Sequence, residues 1–240
     1  MVYRTDTDWE RHRYTSPEDV LERGYKRVAS LAEAIERATG ATLEGRHALD
    51  FGCGVGRIAV PLAERCERVY GLDLSPAILA HTRANAERMN VGNLETMQAE
   101  RLGELAGRYD LVISLNVLQH IRTRDGERIF AQLLGGLRPG GVGFINLTLR
   151  PRRPLLRVLR HTWRAQGQWR PRRKSHRLNP LDVLGVVDFS YAYMMRRSYS
   201  LNELGRLLAE AGVNSWQVEY NRNSEDWGYD SVALVFAKDD

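Results

Sequence analysis

Lysine is scarce in this 240-residue chain: only Lys26, Lys174 and Lys238 carry ammonium groups, and the rest of the 35 basic residues are arginine. Cysteine is scarcer, with Cys53 and Cys66 alone and no CxxC or paired Cys/His spacing. That excludes a disulfide framework and argues against a zinc module, so no metal is expected. No stretch approaches the ~18 uninterrupted apolar residues of a membrane span, and the opening "MVYRTDTDWERHRY" is polar. The chain therefore reads as soluble, unexported and suited to a reducing cytoplasm. Acids are missing from one long segment. Arg150 to Arg177 holds ten arginines and Lys174 without a carboxylate, while the whole chain sums to only +5. Arginine bias explains the choice of cation there but not the missing acids. Such a patch suits an anionic partner, whether phosphate, nucleic acid, a lipid headgroup or an acidic carrier protein.

What is present is a regular alternation. With 43% hydrophobic residues, the chain can bury one sizeable core. The spacing predicts a helix over 17–38 with Gly40 as its stop, then a strand ending at Asp50. Further helices are expected over 57–66, 76–90 and 124–137, and strands over 68–75, 94–100, 109–118 and, after the turn "RPGG", 142–149. A last helix is expected from an N-cap at Ser200 to a stop at Gly212, followed by runs at 215–220 and 230–238 that can pair as an antiparallel end. The fold class is α/β: a doubly wound, mostly parallel seven-stranded sheet. It reads as one domain over 1–240, made of an N-terminal helical cap (1–40), a core (41–149), a basic lid insertion after strand 5 (150–198) and a terminal helix with a strand pair (199–240).

The first strand runs into "HALDFGCGVGR", which sets Asp50 directly ahead of Gly52, Gly54 and Gly56. Glycines at that junction let a ligand approach the backbone at the carboxyl edge of a parallel sheet. Gly54 to Ala59 also matches the dinucleotide pattern G-x-G-x-x-A. Asp50 counts against that ligand, because it would put a negative charge close to a pyrophosphate. Asp50 and Asp73 together suit a ligand with an ammonium, a sulfonium and a ribose but no phosphate.

In their order, "ALDFGCGVGR", "VYGLDLSP", "YDLVISLNVLQHI" and "LRPGG" resemble the successive motifs of the class I S-adenosylmethionine-dependent methyltransferases. The resemblance covers roughly residues 40 to 149, and "YSLNELGRLLAEAGV" is similar to that family's last helix. It implies S-adenosylmethionine as cofactor. By the same resemblance Asp50, Gly52, Cys53, Gly54 and Gly56 surround its methionine portion, and Asp73, followed by Leu74, holds the ribose hydroxyls. Ala99 and Glu100 stand where the family often has Gly-Asp at the adenine edge, so Glu100 is a substitute for that acid. Asn116 and Val117 pass beneath the cofactor. Cys53 fills a variable slot and contributes backbone alone.

His120, just past the fourth strand, is the catalytic candidate. Imidazole exchanges a proton near neutral pH and could accept one from a hydroxyl or orient the acceptor. The alternative is that it only fixes its loop, with Gln119 as a neighbouring polar wall. His161 and His176 lie in the basic insertion and are weaker candidates. Tyr191, Tyr193, Met194 and Met195 are expected as acceptor walls or lid packing. The leading function is methyl transfer to an oxygen or nitrogen of a small metabolite, acidic, phosphorylated or carrier-bound. A second reading is an RNA or tRNA methyltransferase, from Trp163 and Trp169 interleaved with arginines. A third docks the enzyme to a membrane surface or acidic protein through Leu155, Leu156, Leu159 and Trp163 on one helical face.

Overall fold

The computed structural model describes residues 17–149, 197–220 and 230–240. The expectations for the N-terminal 16 residues and for most of the basic insertion lie outside those residues. Helix α1 (Pro17–Thr39) begins with Glu18 and Asp19 in its first turn and has Arg37 in its last, which complements the helix dipole. Its buried stripe is Val20, Leu21, Val28, Leu31, Ala34 and Ile35. The expected stops Gly40 and Gly212 both take left-handed backbone, at φ +73° and +81°.

From β1 (His47–Phe51) the chain continues through α2 (Ala59–Ala63), β2 (Arg68–Asp73), α3 (Pro76–Arg88), β3 (Leu94–Gln98), β4 (Tyr109–Ser114), α4 (Thr123–Gly136) and β5 (Leu137–Leu149). It ends in α5 (Leu201–Glu210), β6 (Ser215–Tyr220) and β7 (Asp230–Ala237). The seven strands form one sheet in the order β3-β2-β1-β4-β5-β7-β6. The first five are mutually parallel, while β7 runs antiparallel to both β5 and β6.

Strand alternation divides the core between two faces. Leu49, Phe51, Tyr70, Leu72, Ile145 and Leu147 pack with Phe130 and Leu133 of α4 and Leu204 and Leu208 of α5. On the opposite face Ala48, Val69, Leu111, Ile113 and Phe144 pack with Val28, Leu31 and Ile35 of α1 and with Leu62 of α2. Asp50 alternates with Leu49 and therefore belongs to the α1 face, as does Asn146, two residues past Phe144. The reversal of strand order between β1 and β4 leaves the loops after these strands diverging at the carboxyl edge, which is where a ligand enters such sheets.

Several boundaries differ from the sequence reading, among them the ends of the second strand, at Asp73 rather than 75, and of α3, at Arg88 rather than 90. The helix expected over 57–66 is regular only at Ala59–Ala63; without an N–H, Pro61 cannot bond back to Arg57 O, and the helix starts later, with Pro61 in its first turn. The strand expected to 118 stops at Ser114, and Asn116 turns out of it with φ +61°. The third strand ends at Gln98, where a 3₁₀ turn (Ala99–Leu105) begins. "RPGG" is absorbed into β5, where pairing with β4 shifts register between Tyr109 and Leu111 and Gly140 N–H bonds to Lys238 O at 3.1 Å.

Candidate active site

Three glycines turn the chain from β1 toward α2 with φ of +79° (Gly52), +55° (Gly54) and +87° (Gly56). At Gly52 the absence of a side chain is obligatory twice over: the φ is left-handed, and a Cβ there would overlap both methyl groups of Val117. Gly54 faces open space. The loop is held by its own backbone and by two neighbours. Gly52 and Cys53 donate to Leu72 O at 2.7 and 2.9 Å, and Gly56 donates to Cys53 O at 3.0 Å. Asp73, at the end of β2, accepts from Gly54 N at 3.1 Å through Oδ2 and from Ser75 N at 3.0 Å through Oδ1. A carboxylate oxygen has two acceptor sites, so each Asp73 oxygen retains one.

Helix α3 pins the same loop from below. Ser75 caps it by accepting from Ile78 N, and its buried Thr82 and Asn85 donate to Gly54 O at 2.6 Å and Val55 O at 2.9 Å. Neither of those two residues was singled out in the sequence. The available signal was a pair of polar side chains three apart on what is otherwise the buried side of "PAILAHTRANAER".

Asp50 is 2% exposed, and its Oδ2 makes no hydrogen bond. Burial pushes its carboxyl up to about 7, with Arg57 favouring the charged form, Asp73 opposing it and the Ala59 N–H favouring it. The Cys53 thiol is likewise held well above its ordinary value, by burial first and then by Asp50 and Asp73, so it stays protonated. Both backbone groups of Cys53 are used, its N–H by Leu72 O of β2 and its carbonyl by Gly56 N–H. Asn116 is exposed at the end of β4, with Val117 half-buried beside Gly52.

Leu74, the one large apolar side chain exposed among the described residues, is 47% accessible immediately after Asp73. Ala99 packs against the core at the start of the 3₁₀ turn, and Glu100 beside it is exposed. The structure thus brings Asp50, the glycine loop, Asp73, Leu74, Asn116 and Val117 to one sheet edge, with Ala99 and Glu100 at the neighbouring end of β3.

His120 closes a short 3₁₀ turn (Leu118–His120), its N–H bonded to Val117 O at 2.9 Å and its Nε2 3.4 Å from Gln119 Nε2. Gln119 is 2% exposed. This loop is clamped by the chain returning after the basic insertion. Arg197 N donates to Gln119 O at 2.6 Å, Thr148 Oγ1 donates to Arg197 O, and Tyr199 Oη donates to Leu118 O at 2.6 Å. His161, His176, Tyr191, Tyr193, Met194 and Met195 lie outside the described residues. Also unforeseen is a half-open cavity of about 140 Å³ at the same edge, lined by Arg27, Arg57, Leu115, Asn116 and Asn146.

Residues 48–141 match the model of a family described as "Methyltransferase domain". Among curated proteins, the chain is 36% identical over 92 residues to a magnesium-protoporphyrin O-methyltransferase of Synechocystis, covering 38% of this chain and 40% of that one. It is 35% identical over 128 residues to a ubiquinone biosynthesis O-methyltransferase of Acinetobacter baumannii (strain AYE), 52% of each chain. The chain therefore spans about half the length of the curated relatives it matches. Among solved structures, a magnesium protoporphyrin IX methyltransferase from Synechocystis PCC 6803 with bound SAH superposes with a TM-score of 0.57 at 21% identity, over 91% of this chain and 85% of that one. A Haemonchus contortus phosphoethanolamine N-methyltransferase 2 with S-adenosyl-L-methionine gives 0.60 at 15% identity, over 100% and 61%. Residues 48–141 thus match a methyltransferase domain, and the strand order, the glycine loop and the superposed structures agree with the fold of such a domain.

Proposed function

We propose that this protein transfers a methyl group from S-adenosylmethionine to an oxygen of a small-molecule acceptor. The observation that carries the reading is the pairing of Asp73 with the Gly54 N–H at the sheet edge, which aims a half-satisfied carboxylate across a glycine cradle. The residues fit the cofactor: Asp50 has a buried oxygen without a partner, Gly54 faces open space, and Leu74 offers exposed apolar surface next to Asp73. When bound, the cofactor supplies an electrophilic methyl group on a sulfonium.

In this reading the free acceptor sites of the two Asp73 oxygens take the ribose hydroxyls, and Leu74 covers one face of the adenine. Ala99 and Glu100 border the adenine edge. Asp50, Gly52, Gly54, Gly56 and the Asn116–Val117 turn surround the methionine portion, while Cys53 shapes the loop. Positioning supplies much of the rate in such a displacement. A hydroxyl acceptor must also lose a proton, and His120 accepts it; a carboxylate acceptor loses none. Gln119 and the Tyr199 clamp fix the loop on which His120 sits. Oxygen is preferred to nitrogen because both curated relatives described above are named O-methyltransferases.

The test is calorimetry with S-adenosylhomocysteine, followed by transfer of labelled methyl from S-adenosylmethionine to a panel of phenols, carboxylic acids, amines and bulk tRNA. Micromolar nucleoside binding with label on phenols or carboxylates is expected. Binding of NADH in its place, or label confined to tRNA, would overturn the reading.

A further inference from the structure

Thr82 stands in the middle of α3, fully buried, where a threonine hydroxyl ordinarily donates to the carbonyl four residues back. That bond is available, at 3.3 Å to Ile78 O, but the Gly54 carbonyl lies closer, at 2.6 Å. A hydroxyl has a single proton, so the loop carbonyl takes it. The Thr82 oxygen can still accept, and the Cys53 sulfur lies 4.0 Å away with a thiol that burial keeps protonated. The methyl group of the same side chain rests on the loop as well, since a Cβ at Gly56 would meet it at 3.0 Å. Asn85, three residues on, is aimed the same way. Arg88 can only donate and holds its Oδ1 at 3.2 Å, which turns Nδ2 onto Val55 O at 2.9 Å.

These bonds close a circuit. Gly54 is gripped on both sides, its N–H by Asp73 Oδ2 and its carbonyl by Thr82. Asp73 holds Ser75 N through its other oxygen, and Ser75 caps the helix that carries Thr82. The connections run from the carboxylate to the loop, from the loop to α3, and from the cap of α3 back to the same carboxylate. Gly54 takes φ +55° and has open space where a Cβ would stand, so no steric wall stops its two peptide units from turning. Hydrogen bonds to Asp73 and Thr82 fix them.

We infer that Thr82 is a positioning residue for the cofactor, acting through Gly54 on the Asp73 carboxylate. This deepens the methyltransferase reading and rests on it. Without the hydroxyl the Gly54 carbonyl loses its partner and turns toward water, and the N–H that orients Asp73 Oδ2 turns with it. The two carboxylate oxygens then no longer present their remaining acceptor sites in one fixed direction. The nucleoside must supply that ordering as it binds, at the expense of affinity.

Thr82→Ser and Thr82→Ala separate this role from packing, because both lack the methyl group and only the serine keeps the hydroxyl. Both should unfold at a lower temperature than the parent. By calorimetry, S-adenosylhomocysteine should bind Thr82→Ala roughly threefold to tenfold more weakly than Thr82→Ser, with Thr82→Ser close to the parent. The same ratio is expected for 5′-methylthioadenosine, which shares the ribose and lacks the amino-acid end. In ligand-free protein, amide hydrogen exchange at Gly54 should be faster in Thr82→Ala than in Thr82→Ser. Equal affinities of the two variants, whatever their exchange rates, would reduce Thr82 to packing and overturn the inference. A loss confined to S-adenosylhomocysteine would overturn it too, by placing the effect at the amino-acid end rather than at Asp73. Should the parent bind neither nucleoside, the methyltransferase reading fails instead, and exchange at Gly54 still decides whether Thr82 orders the loop.

Discussion

Tyr199 Oη donates to Leu118 O at 2.6 Å, tying the start of the last α/β segment to a carbonyl 81 residues earlier, in the turn that carries His120. Both groups are buried, and Tyr199 is 1% exposed. Tyr199→Phe keeps the ring and leaves Leu118 O with the Ile121 N–H alone, at 2.9 Å, so the cost is that of one hydrogen bond, about 0.5–1.5 kcal/mol. Thermal unfolding should report that loss. Methyl transfer should fall more than cofactor affinity, because the bond orders the His120 turn rather than the glycine loop. Equal loss of both would mean that the clamp supports the whole edge.

Asp73 is the second test. Asp73→Ala removes the partner of Gly54 N–H and of Ser75 N–H together with the proposed ribose acceptors, so S-adenosylhomocysteine affinity should fall by about 2–4 kcal/mol. Asp73→Asn keeps one acceptor oxygen and should lose less. Calorimetric affinity equal to the parent's in Asp73→Ala would remove the ribose role.

His120→Ala should slow transfer to phenols sharply while leaving S-adenosylhomocysteine affinity within a factor of about two. If His120 accepts a proton, a loss on the order of 10²–10⁴ in kcat is expected for phenols, with a smaller loss for carboxylic acids. Equal losses for both acceptor types would return His120 to a purely structural role.

How far the sequence reached depends on how local each device is. Asp50, the glycines, Asp73 and Asn116 were legible because each follows or closes a short apolar run, and those runs stand in the order of the methyltransferase motifs they resemble. Arg27, Arg57, Asn116 and Asn146 converge only through the β1-β4-β5 strand order and the packing of α1, which no local spacing encodes. Thr82 and Asn85 looked like ordinary helix polar residues, since nothing local shows that the buried side of α3 faces loop carbonyls. Ser200 was expected to cap α5. It has the extended backbone of a cap, but its side chain makes no capping bond, and the helix starts through Leu204 N to Ser200 O at 3.0 Å. Composition foretold the position of a cap but not its geometry.

Gly52→Ala tests the cradle. The new methyl group would overlap Val117 Cγ1 and Cγ2, and φ stays at +79°. Combining it with Val117→Ala removes the two overlapping methyl groups and leaves a tight contact with the Cβ of residue 117 at 3.1 Å and a conformational cost of about 1 kcal/mol. The single variant should therefore lose stability and S-adenosylhomocysteine binding, and the double variant should recover most of the stability. Failure of Val117→Ala to rescue it would show that the φ alone decides the position.

Asp50 gives the chain a pH dependence whose sign is opposite to that of an ion-paired acid. Its folded value is about 7 against an ordinary 3.8, because burial disfavours the carboxylate more than Arg57 and the Ala59 N–H support it. Below pH ~4 both states hold the proton. Between about 4 and 7 the folded state keeps it and the unfolded state does not, so this residue's contribution to stability declines as pH rises and is lost above about 7. The full change is on the order of a few kcal/mol. Asp50→Asn cannot ionise, so chemical denaturation across pH 4 to 8 should show the parent losing stability relative to the variant as pH rises. A ligand ammonium placed against Asp50 would favour the carboxylate and pull its value down. Binding of S-adenosylhomocysteine at pH 6 should then release a proton from the parent and not from Asp50→Asn, read as a dependence of binding enthalpy on the buffer's ionisation enthalpy. Proton uptake, or release of the same size in the variant, would separate Asp50 from the ammonium and leave its burial as a feature of the loop alone.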